Sequence, residues 1–393
     1  MISVKEAKDI IQNNIKTLGA ETFSLQDAAG LTLSEDVFAD NDFPPFEQSA
    51  VDGYAFRFED WNGEALQVKG EVQAGAKEEI LTGKKQAARI FTGAPVPAKF
   101  DTVIMQEKVI VEDKLLNIQD QDLKKGNNVR PKGSEIASGL LALERGTLLT
   151  PGAIGFIAGL GKKEVKAIRR PTVAIVVTGK ELQTPGEPLA YGQVFESNSY
   201  ALTAALNKSG ILNVSTQWVD DDLDTLINVI EKVLSTADLL LITGGVSVGD
   251  YDFVSKTLEQ VGVEKLFHKI KQRPGKPLLF GKQNETIVFG LPGNPSSVLT
   301  CYYEYVLVAI QQMMGFEKPF LKTVQLPMAR DHNKNAGLMH FLKGKQINNE
   351  VLVLDAQESY RMKSFALADC LIVLEEDKIE YKKGEMVEVH LLP

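Results

Sequence analysis

The stretch VAIVVTGKEL, residues 173–182, decides the fold of this chain. Its first five residues are apolar and mostly β-branched, which is typical of a parallel strand buried on both faces of its sheet. Similar apolar runs follow at residues 239–242 and 287–289. Helical stretches lie between these runs, at residues 199–209, 222–234 and 252–260. Strands and helices in alternation predict a doubly wound α/β domain.

Each buried strand of this domain runs into an unusual loop. Residues 178–182 read TGKEL, residues 243–252 read TGGVSVGDYD, and residues 290–297 read GLPGNPSS. Ligands of open α/β sheets bind beyond the carboxyl ends of the strands, so we expect these loops to converge on one crevice. Their glycines allow a ligand to approach the backbone closely, and backbone N–H groups there favour an anion. The alternative, that such loops only turn corners, explains one loop better than several.

Neither common nucleotide-binding signature occurs in the sequence. No G-x-x-x-x-G-K-[ST] is present, and the G-x-G at residues 159–161 lacks its third glycine, because position 164 is glutamate. A nucleotide would therefore have to be held in another way.

Carboxylates gather on the same predicted loops. Glu181 and Asp252 follow two of the strands, and residues 220–222 are consecutive aspartates. An N-cap explains one aspartate of that triplet well and all of them poorly. Carboxylates that face a phosphate-bearing ligand require a bridging cation, and Mg²⁺ uses one or two carboxylates together with phosphate oxygens. The pattern therefore favours a magnesium-dependent site.

Two cations stand on one short segment that is rich in proline. Residues 273–277 read RPGKP and precede a predicted strand at residues 278–280. The prolines restrict the backbone, so we expect one rigid turn to aim both Arg273 and Lys276. A plain surface turn is the alternative. An oxyanion such as phosphate or molybdate is a natural partner for two such cations.

The regions that flank the α/β domain have a different pattern of apolar residues and predict different secondary structure. Residues 3–18 have apolar side chains at helical spacing behind a capping box of Ser3 and Glu6, and a second helix is expected at residues 151–161. Short strand-like segments lie between these helices, at residues 66–72, 87–92, 102–106 and 108–111. We predict a multidomain α/β plus β protein. Its parts are a discontinuous helical subdomain (1–46 and 131–170), a β-rich inserted subdomain (47–130), the α/β domain (171–320) and a small C-terminal β domain (321–393).

Composition excludes several classes of function. The 393 residues carry a net charge of −9, which argues against a nucleic-acid partner, because phosphate backbones require basic surface. Two cysteines and four scattered histidines provide neither a disulfide framework nor a zinc site. No apolar run approaches the ~20 residues that span a bilayer, and residues 1–6 lack a signal-peptide h-region. We therefore expect a cytoplasmic protein without a membrane partner.

Some segments before residue 140 are suggestive but weak when they are taken singly. SAVDGYA, residues 49–55, places Asp52 among small residues, for which an Asx-turn with glycine is the alternative. TGAPVP at residues 92–97 and NVRPKGSEI at residues 128–136 are equally ambiguous alone.

Together with the strand-end loops, these segments resemble one family, the molybdopterin molybdenumtransferases, which include bacterial MoeA and the E domain of gephyrin. The matching stretches follow the family order: 49–55, 92–97, 128–139, 178–182, 221–222, 244–252, 274–277 and 290–297. One stretch alone would carry little weight, but the ordered set is specific.

The resemblance implies four subdomains, a pterin-binding role for the α/β domain, and a homodimer whose site is built across the interface. It also implies the reaction, in which adenylylated molybdopterin and molybdate give molybdenum cofactor and AMP with Mg²⁺. The catalytic residues would be Asp52, Glu135, Glu181, Asp221 and Asp252, with Glu181, Asp221 and Asp252 as metal ligands. Substrate would be bound by Thr92, Thr178, Gly179, Gly244, Gly245, Ser247, Gly249, Arg273, Lys276, Pro292, Asn294, Pro295, Ser297 and Ser364. The implied protein partners are a MogA-like adenylyltransferase and molybdoenzyme apoproteins.

Departures from the family pattern concern the anion site. Arg273 stands where the family usually has lysine, which preserves the charge but changes the donor geometry. In the C-terminal domain, residues 337–344 read GLMHFLKG and lack an expected arginine, for which Lys343 is the substitute. Ser364 is assigned from the serine-containing segment at residues 359–364.

Two other functions are compatible with parts of the sequence. One is a nucleotide pyrophosphohydrolase built on the same α/β domain, and the other is a non-catalytic pterin-binding or clustering scaffold. A hydrolase needs no segment like the one around Asp52, and the joint presence of Asp52, Glu181 and Asp252 disfavours a scaffold. Molybdenum insertion is therefore the preferred function.

Overall fold

The computed structural model describes residues 1–76, 83–219, 222–245 and 253–393. The chain divides into two compact units. The larger unit comprises Met1–Glu21, Gly30–Thr32 and Ala167–Pro393, and the smaller unit comprises Thr22–Ala29 and Leu33–Lys166. The finer division into four subdomains stays a prediction.

The first helix, α1 (Val4–Asn14), begins where the sequence predicts. Ser3 Oγ accepts from the backbone N–H of Glu6 at 3.1 Å, and Glu6 Oε2 accepts from the backbone N–H of Ser3 at 2.7 Å, so the capping box is confirmed. The helix ends four residues before the predicted position, because the buried, β-branched Ile15 adopts extended backbone (φ −102°, ψ 131°).

The smaller unit is built mainly from short strands. Its main sheet has the strand order β7-β4-β6-β5-β9-β8, in which β5 and β6 are parallel and the other neighbours are antiparallel. In chain order the elements that lie wholly or partly in this unit are β1 (Ala20–Ser24), β2 (Val37–Phe38), β3 (Gln48–Ser49), β4 (Gly53–Phe56), β5 (Leu66–Val72), β6 (Gln86–Ile90), β7 (Thr102–Met105), β8 (Val109–Glu112), β9 (Leu115–Ile118), β10 (Val129–Arg130), β11 (Leu141–Leu143), α2 (Pro151–Gly159) and β12 (Glu164–Ile168), with 3-10 turns at Phe58–Asp60 and Gln106–Lys108.

The larger unit contains the α/β domain that the sequence predicts. Its sheet has the order β16-β13-β17-β21-β20-β18, and the first four strands are parallel. The elements are β13 (Val173–Thr178), β14 (Leu182–Gln183), β15 (Val194–Phe195), α3 (Asn198–Lys208), β16 (Val214–Val219), α4 (Leu223–Leu234), β17 (Leu239–Thr243), α5 (Phe253–Gln260), β18 (Glu264–His268), β19 (Gln272–Arg273), β20 (Leu279–Gln283), β21 (Thr286–Leu291), α6 (Pro295–Cys301), a π-helical turn (Tyr302–Val306) and α7 (Leu307–Met313).

Helices cover both faces of this sheet, as a doubly wound fold requires. Ala174 and Val176 of β13 belong to a buried cluster with apolar residues of α4 and α5. The alternate residues Val173, Ile175 and Val177 are also buried, and they point to the opposite face, where α3 and α6 pack together. This double burial explains why the strand is apolar throughout.

The sheet differs from the prediction at one edge, where β20 and β18 run antiparallel to their neighbours. Strands β20 and β21 are joined by the short turn Asn284-Glu285, and Asn284 adopts a left-handed backbone (φ 54°). A two-residue connection forces an antiparallel hairpin, since parallel strands need a long crossover.

The C-terminal part is a small β structure, as predicted. Its sheet has the order β19-β24-β26-β28-β22, with β25 paired to β24. The elements are β22 (Thr323–Pro327), β23 (His332–Asn333), β24 (Met339–Ile347), β25 (Glu350–Val353), α8 (Lys363–Leu367), β26 (Cys370–Leu374), β27 (Glu380–Tyr381) and β28 (Met386–Leu391). Strand β19 reaches this sheet from the α/β domain and pairs Arg273 with His340. The RPGKP turn is therefore attached directly to the C-terminal sheet.

A buried ionic cluster joins distant parts of the larger unit. The Glu304 carboxylate lies in the π-helical turn, is 1% exposed, and accepts from Lys8 Nζ of α1 at 2.7 Å. It also pairs with His390 Nδ1 of β28 at 2.7 Å, and His390 Nε2 pairs with Glu388 at 2.8 Å. Burial opposes charge at Glu304, but Lys8 and His390 hold the pKa of its carboxyl below the ordinary value. Burial likewise opposes charge on His390, yet its bond to Glu304 raises the imidazole pKa.

Within the described residues, no helix has the length and apolar character needed to cross a bilayer.

Candidate active site

A cleft of about 560 Å³ opens at the carboxyl ends of β13, β17 and β21. The register of these parallel strands places their last residues side by side, so the loops that follow meet at one edge of the sheet. The predicted site residues that line this cleft are Glu181, Gly244, Gly245, Arg273, Lys276, Pro292, Asn294 and Ser297. Thr178, Gly179 and Pro295 adjoin it in sequence.

Gly244 lets two strand ends approach each other more closely than any other residue would. Its backbone is left-handed (φ 92°), and a Cβ atom there would lie 2.1 Å from the Thr178 carbonyl oxygen. A side chain would therefore push the β13 and β17 loops apart. Thr178 itself is 4% exposed, and its hydroxyl has no hydrogen-bond partner among the described residues.

A side chain that the sequence did not single out ties the cleft loops together. Asn198 Nδ2, at the start of α3, donates to Thr243 Oγ1 at 2.8 Å and to the Gly293 carbonyl at 2.9 Å. One amide thus fixes the end of β17 against the loop after β21. Asn198 lies far from both loops in sequence and belongs to no recognisable motif, so only the fold reveals this role.

The RPGKP turn is held rigidly from behind by buried groups. Gln272 is fully buried and donates from Nε2 to the Pro274 carbonyl at 3.0 Å, while the Tyr305 hydroxyl donates to Gln272 Oε1. Gly275 adopts a left-handed backbone (φ 90°), and a Cβ atom there would lie 2.5 Å from Cys301 Sγ. These contacts leave the turn little freedom to move.

Both cations of this turn are exposed on the cleft wall. In the part of the chain that the structure describes, neither Arg273 nor Lys276 has a carboxylate at ion-pair distance, whereas the neighbouring Lys271 pairs with Glu376 at 2.8 Å. His340 is the partner of Arg273 on the neighbouring strand, and burial lowers the pKa of its imidazole to about 4. The imidazole is therefore neutral at pH 7. The turn therefore presents two fixed charges that are available to an anionic ligand.

One wall of the cleft is formed by a loop of the C-terminal β structure, residues 354–361, which we call the wall loop. Its members Gln357, Glu358, Ser359 and Tyr360 line the cleft. Asn294 Nδ2 donates to Ser359 Oγ at 2.9 Å, and the Ser296 N–H donates to the Ser359 carbonyl at 3.0 Å. These bonds dock the wall loop on the start of α6.

Lys343 holds the wall loop from inside the fold. Its side chain is 1% exposed, and Nζ donates to the carbonyls of Ala356 (3.0 Å), Glu358 (3.4 Å) and Arg361 (3.4 Å). Burial lowers the pKa of this ammonium to about 8. The sequence prediction made Lys343 the substitute for a substrate-binding arginine, but its donors are occupied by carbonyls and it does not line the cleft.

Ser364 has a similar supporting position. Its hydroxyl is buried and donates to the Ala356 carbonyl at 2.7 Å, the same oxygen that accepts from Lys343. Ser364 is not among the residues that line the cleft. The structure thus places this predicted substrate-binding residue behind the wall loop, because short α8 packs against β24 and turns the hydroxyl inwards.

Asp52, Thr92 and Glu135 belong to the smaller unit. Asp52 is exposed, and its Oδ1 accepts from the Thr92 N–H at 2.8 Å and from the Thr92 hydroxyl at 2.9 Å. These hydrogen bonds lower the pKa of the Asp52 carboxyl, so it is ionised at neutral pH. The Asx-turn alternative does not describe this contact, which joins Asp52 to a residue forty positions away. Glu135 is an exposed side chain.

Asp221, Ser247, Gly249 and Asp252 lie outside the described residues. Neighbouring Asp222 caps α4, and its carboxylate accepts from the Thr225 N–H at 2.9 Å. Among the described residues, no group of three or more His, Cys, Asp and Glu side chains is placed to hold a metal. Glu181 is an exposed carboxylate on the cleft wall, an oxygen donor of the kind that Mg²⁺ prefers.

Family models cover most of the chain and follow one another along it. Residues 2–161 match the MoeA N-terminal region (domains I and II), residues 174–312 match a probable molybdopterin binding domain, and residues 325–392 match the MoeA C-terminal region (domain IV).

The chain belongs to the MoeA family.

Curated relatives and solved structures agree with this assignment. The molybdopterin molybdenumtransferase of Staphylococcus aureus (strain MRSA252) is 32% identical over 400 residues, covering 99% of this chain and 95% of that protein. The protein of the same name from Staphylococcus epidermidis (strain ATCC 12228 / FDA PCI 1200) is 31% identical over 401 residues. A crystal structure of the MoeA protein of Pyrococcus horikoshii OT3 matches with a TM-score of 0.83 at 29% identity and covers 100% of both chains.

Proposed function

We propose that this MoeA-family protein is a molybdopterin molybdenumtransferase, which inserts molybdenum from molybdate into adenylylated molybdopterin and releases AMP and molybdenum cofactor. The observation that carries the proposal is the rigid RPGKP turn, which aims Arg273 and Lys276 into a cleft at the carboxyl ends of the sheet. Two charges that have no carboxylate partner among the described residues suit a substrate that brings both phosphate groups and a tetrahedral oxyanion.

The residues of this cleft need only bind and orient the substrates. Arg273 and Lys276 would neutralise an oxyanion through charge-assisted hydrogen bonds, and Asn294 and Ser297 would contribute neutral donors. The two dithiolene sulfurs of the pterin then replace two oxygen ligands of molybdate, which leave as water after taking up protons. Water adds to the phosphoanhydride phosphorus, and AMP departs. No covalent enzyme intermediate is required, so positioning supplies the catalysis.

A divalent cation fits the acidic side of the cleft. Glu181 would provide one oxygen ligand, and Asp221 and Asp252 are the further ligands that the family resemblance implies. When bound, Mg²⁺ would offset the charge that accumulates where carboxylates and phosphates meet.

A reconstitution assay tests the function and its metal requirement together. We expect purified protein, adenylylated molybdopterin, molybdate and Mg²⁺ to yield AMP and cofactor that activates an apo-molybdoenzyme. Excess chelator should abolish turnover, and added Mg²⁺ should restore it, because the facing carboxylates and phosphates then repel. Full activity in chelator would refute the metal requirement.

The same assay separates the alternative functions. Rapid AMP release without molybdate, and without cofactor, would identify a pyrophosphohydrolase. Binding of the pterin with neither product would identify a scaffold. Either result would overturn molybdenum insertion.

We further propose a homodimer in which the site takes Asp52 from one chain and Asp252 from the other. The support is the family resemblance, together with the exposed, ionised carboxylate of Asp52, which caps no helix and forms no ion pair within the described residues. In a symmetric dimer of this kind, each chain would contribute to both sites.

Mixed dimers test the shared site. Asp52→Asn and Asp252→Asn proteins are each expected to be inactive, while mixing after mild dissociation should restore roughly a quarter of wild-type activity, because about half of the dimers are mixed and each then holds one intact site. Mass analysis must show that subunits have exchanged. No recovery in exchanged samples would place both residues in one chain's site.

The MogA-like partner, the molybdoenzyme recipients and the cytoplasmic location stay predictions.

A further inference from the structure

Hydrogen bonds from buried side chains hold the backbone of the wall loop in one conformation. Lys343 donates to several of its carbonyls, and Gln357 clamps the backbone of the neighbouring strand through bonds to Lys343 N–H (3.0 Å), Lys343 carbonyl (2.8 Å) and Leu354 carbonyl (2.8 Å). Ala356 adopts a left-handed backbone (φ 61°) that is maintained by the two donors on its carbonyl. Such a loop holds whatever it carries in one place.

The side chain that this loop carries into the cleft is Tyr360. The residue is 61% exposed and lines the cleft together with Arg273 and Lys276. The Arg361 guanidinium lies 5.7 Å from the centre of the Tyr360 ring, and Arg361 is held in turn by Glu358 at 3.3 Å. A cation near the face of an aromatic ring attracts the ring and restrains it, while the exposure of Tyr360 leaves surface for a ligand.

We propose that Tyr360 is a stacking platform for a planar heterocycle of the substrate, and that Lys343 is the residue that positions it. The inference rests on the proposed function, because adenylylated molybdopterin carries two such ring systems, a pterin and an adenine. The anionic groups of the substrate bind at Arg273 and Lys276, and a ring attached to them lies against Tyr360, which lines the same cleft. Stacking on a fixed tyrosine requires no hydrogen-bond pattern, so it suits either ring.

Direct binding tests the proposal with two probes, AMP for the adenine and neopterin monophosphate for the pterin. Titration calorimetry measures AMP affinity, and quenching of pterin fluorescence measures the stacked pterin. We expect Tyr360→Leu to raise the Kd of at least one probe about tenfold, while Tyr360→Phe, which keeps the ring, stays near wild type. The probe that responds identifies the ring that stacks.

Two further variants complete the design. Tyr191→Leu removes another exposed tyrosine that does not line the cleft, and it should leave both affinities unchanged. Lys343→Met removes the donors that hold the wall loop while Tyr360 remains, so it should raise the Kd of the responsive probe, and Lys343→Arg should recover part of the lost affinity. Melting curves confirm that each variant is folded.

The possible results distinguish a failure of the stacking platform from a failure of the proposed function. Unchanged affinity for both probes in Tyr360→Leu, or an equal loss in Tyr360→Phe, would overturn the stacking platform. If the reconstitution assay yields no cofactor although Tyr360→Leu weakens probe binding, the proposed function fails and the platform stands. If cofactor forms normally and Tyr360→Leu binds both probes like wild type, only the platform fails.

Discussion

Gly244→Ala is expected to reduce turnover about 100-fold and to lower the free energy of unfolding by about 3 kcal/mol. A left-handed backbone costs a non-glycine residue about 1–3 kcal/mol, and overpacking typically adds about 1–3 kcal/mol. Both costs apply, since φ is 92° and the new Cβ would lie 2.1 Å from the Thr178 carbonyl oxygen. The β13 and β17 loops must separate, and a displacement of about 1 Å at a positioned site reduces turnover by about 100-fold.

Gly293→Ala is the matched control for this prediction. Gly293 lines the same cleft, but the nearest described atom to a Cβ there is the Gly244 Cα at 4.0 Å, and its backbone is not left-handed. We expect its unfolding free energy to stay within about 0.5 kcal/mol of wild type. Urea unfolding measures stability, and the reconstitution assay measures turnover. Equal stability losses in the two variants would show that the close approach of Gly244 to Thr178 is not what limits this position.

The α/β domain was predictable because its signals are local. The apolar run at residues 173–177 needs no knowledge of its neighbours, and the buried strand is confirmed at Val173–Thr178. The convergence of the loops followed from the general rule that parallel strands share their carboxyl edge. The antiparallel edge at β20 was missed, although Asn284 at a two-residue turn is a hairpin signal that the sequence did contain.

The position of the wall loop at the cleft could not be predicted from the sequence, because contacts between residues that are distant in sequence determine it. The loop that carries Tyr360 is docked on the start of α6 by Asn294, which lies 65 positions from Ser359, and by the Ser296 N–H. Lys343 gives a second example of this limit. The sequence predicted that it replaces an arginine at the anion site, but in the folded protein its ammonium group donates to backbone carbonyls. A motif specifies which residue type stands at a position, whereas tertiary contacts determine where its polar atoms point.

A second large effect is expected at Glu304, which does not line the cleft. Glu304→Leu leaves the half-buried Lys8 and the buried His390 without their shared acceptor, and breaking a buried ion pair in this way costs about 3–5 kcal/mol. Lys5→Ala is the control, because the Lys5–Asp9 pair is largely exposed (84% and 49%) and its loss should change stability by less than about 1 kcal/mol. Chemical unfolding of the purified variants measures both.

A triple variant separates lost charge pairing from lost packing at this cluster. Lys8→Met, Glu304→Leu and His390→Phe together remove Glu304 and both of its partners and leave only the exposed Glu388, and a well-packed apolar replacement of a buried ionic group is often neutral or stabilising. We therefore expect the triple variant to recover most of the stability that Glu304→Leu loses. A triple variant as unstable as the single one would show that the shape of the site, and not an uncompensated charge, sets the cost.

The pH dependence of stability provides an independent check on the same cluster. His390 has a raised pKa, so its contribution is fully present below pH 6.5 and is lost as pH rises through the folded pKa. Glu304 has a lowered pKa, so its contribution is present above pH 4.5 and is lost as pH falls through the folded pKa. The wild type should therefore exceed Glu304→Leu in stability most strongly between these limits, and the difference should shrink on both sides. A difference that stays constant from pH 4 to pH 9 would contradict an ionic origin, because only uncharged packing is indifferent to proton concentration.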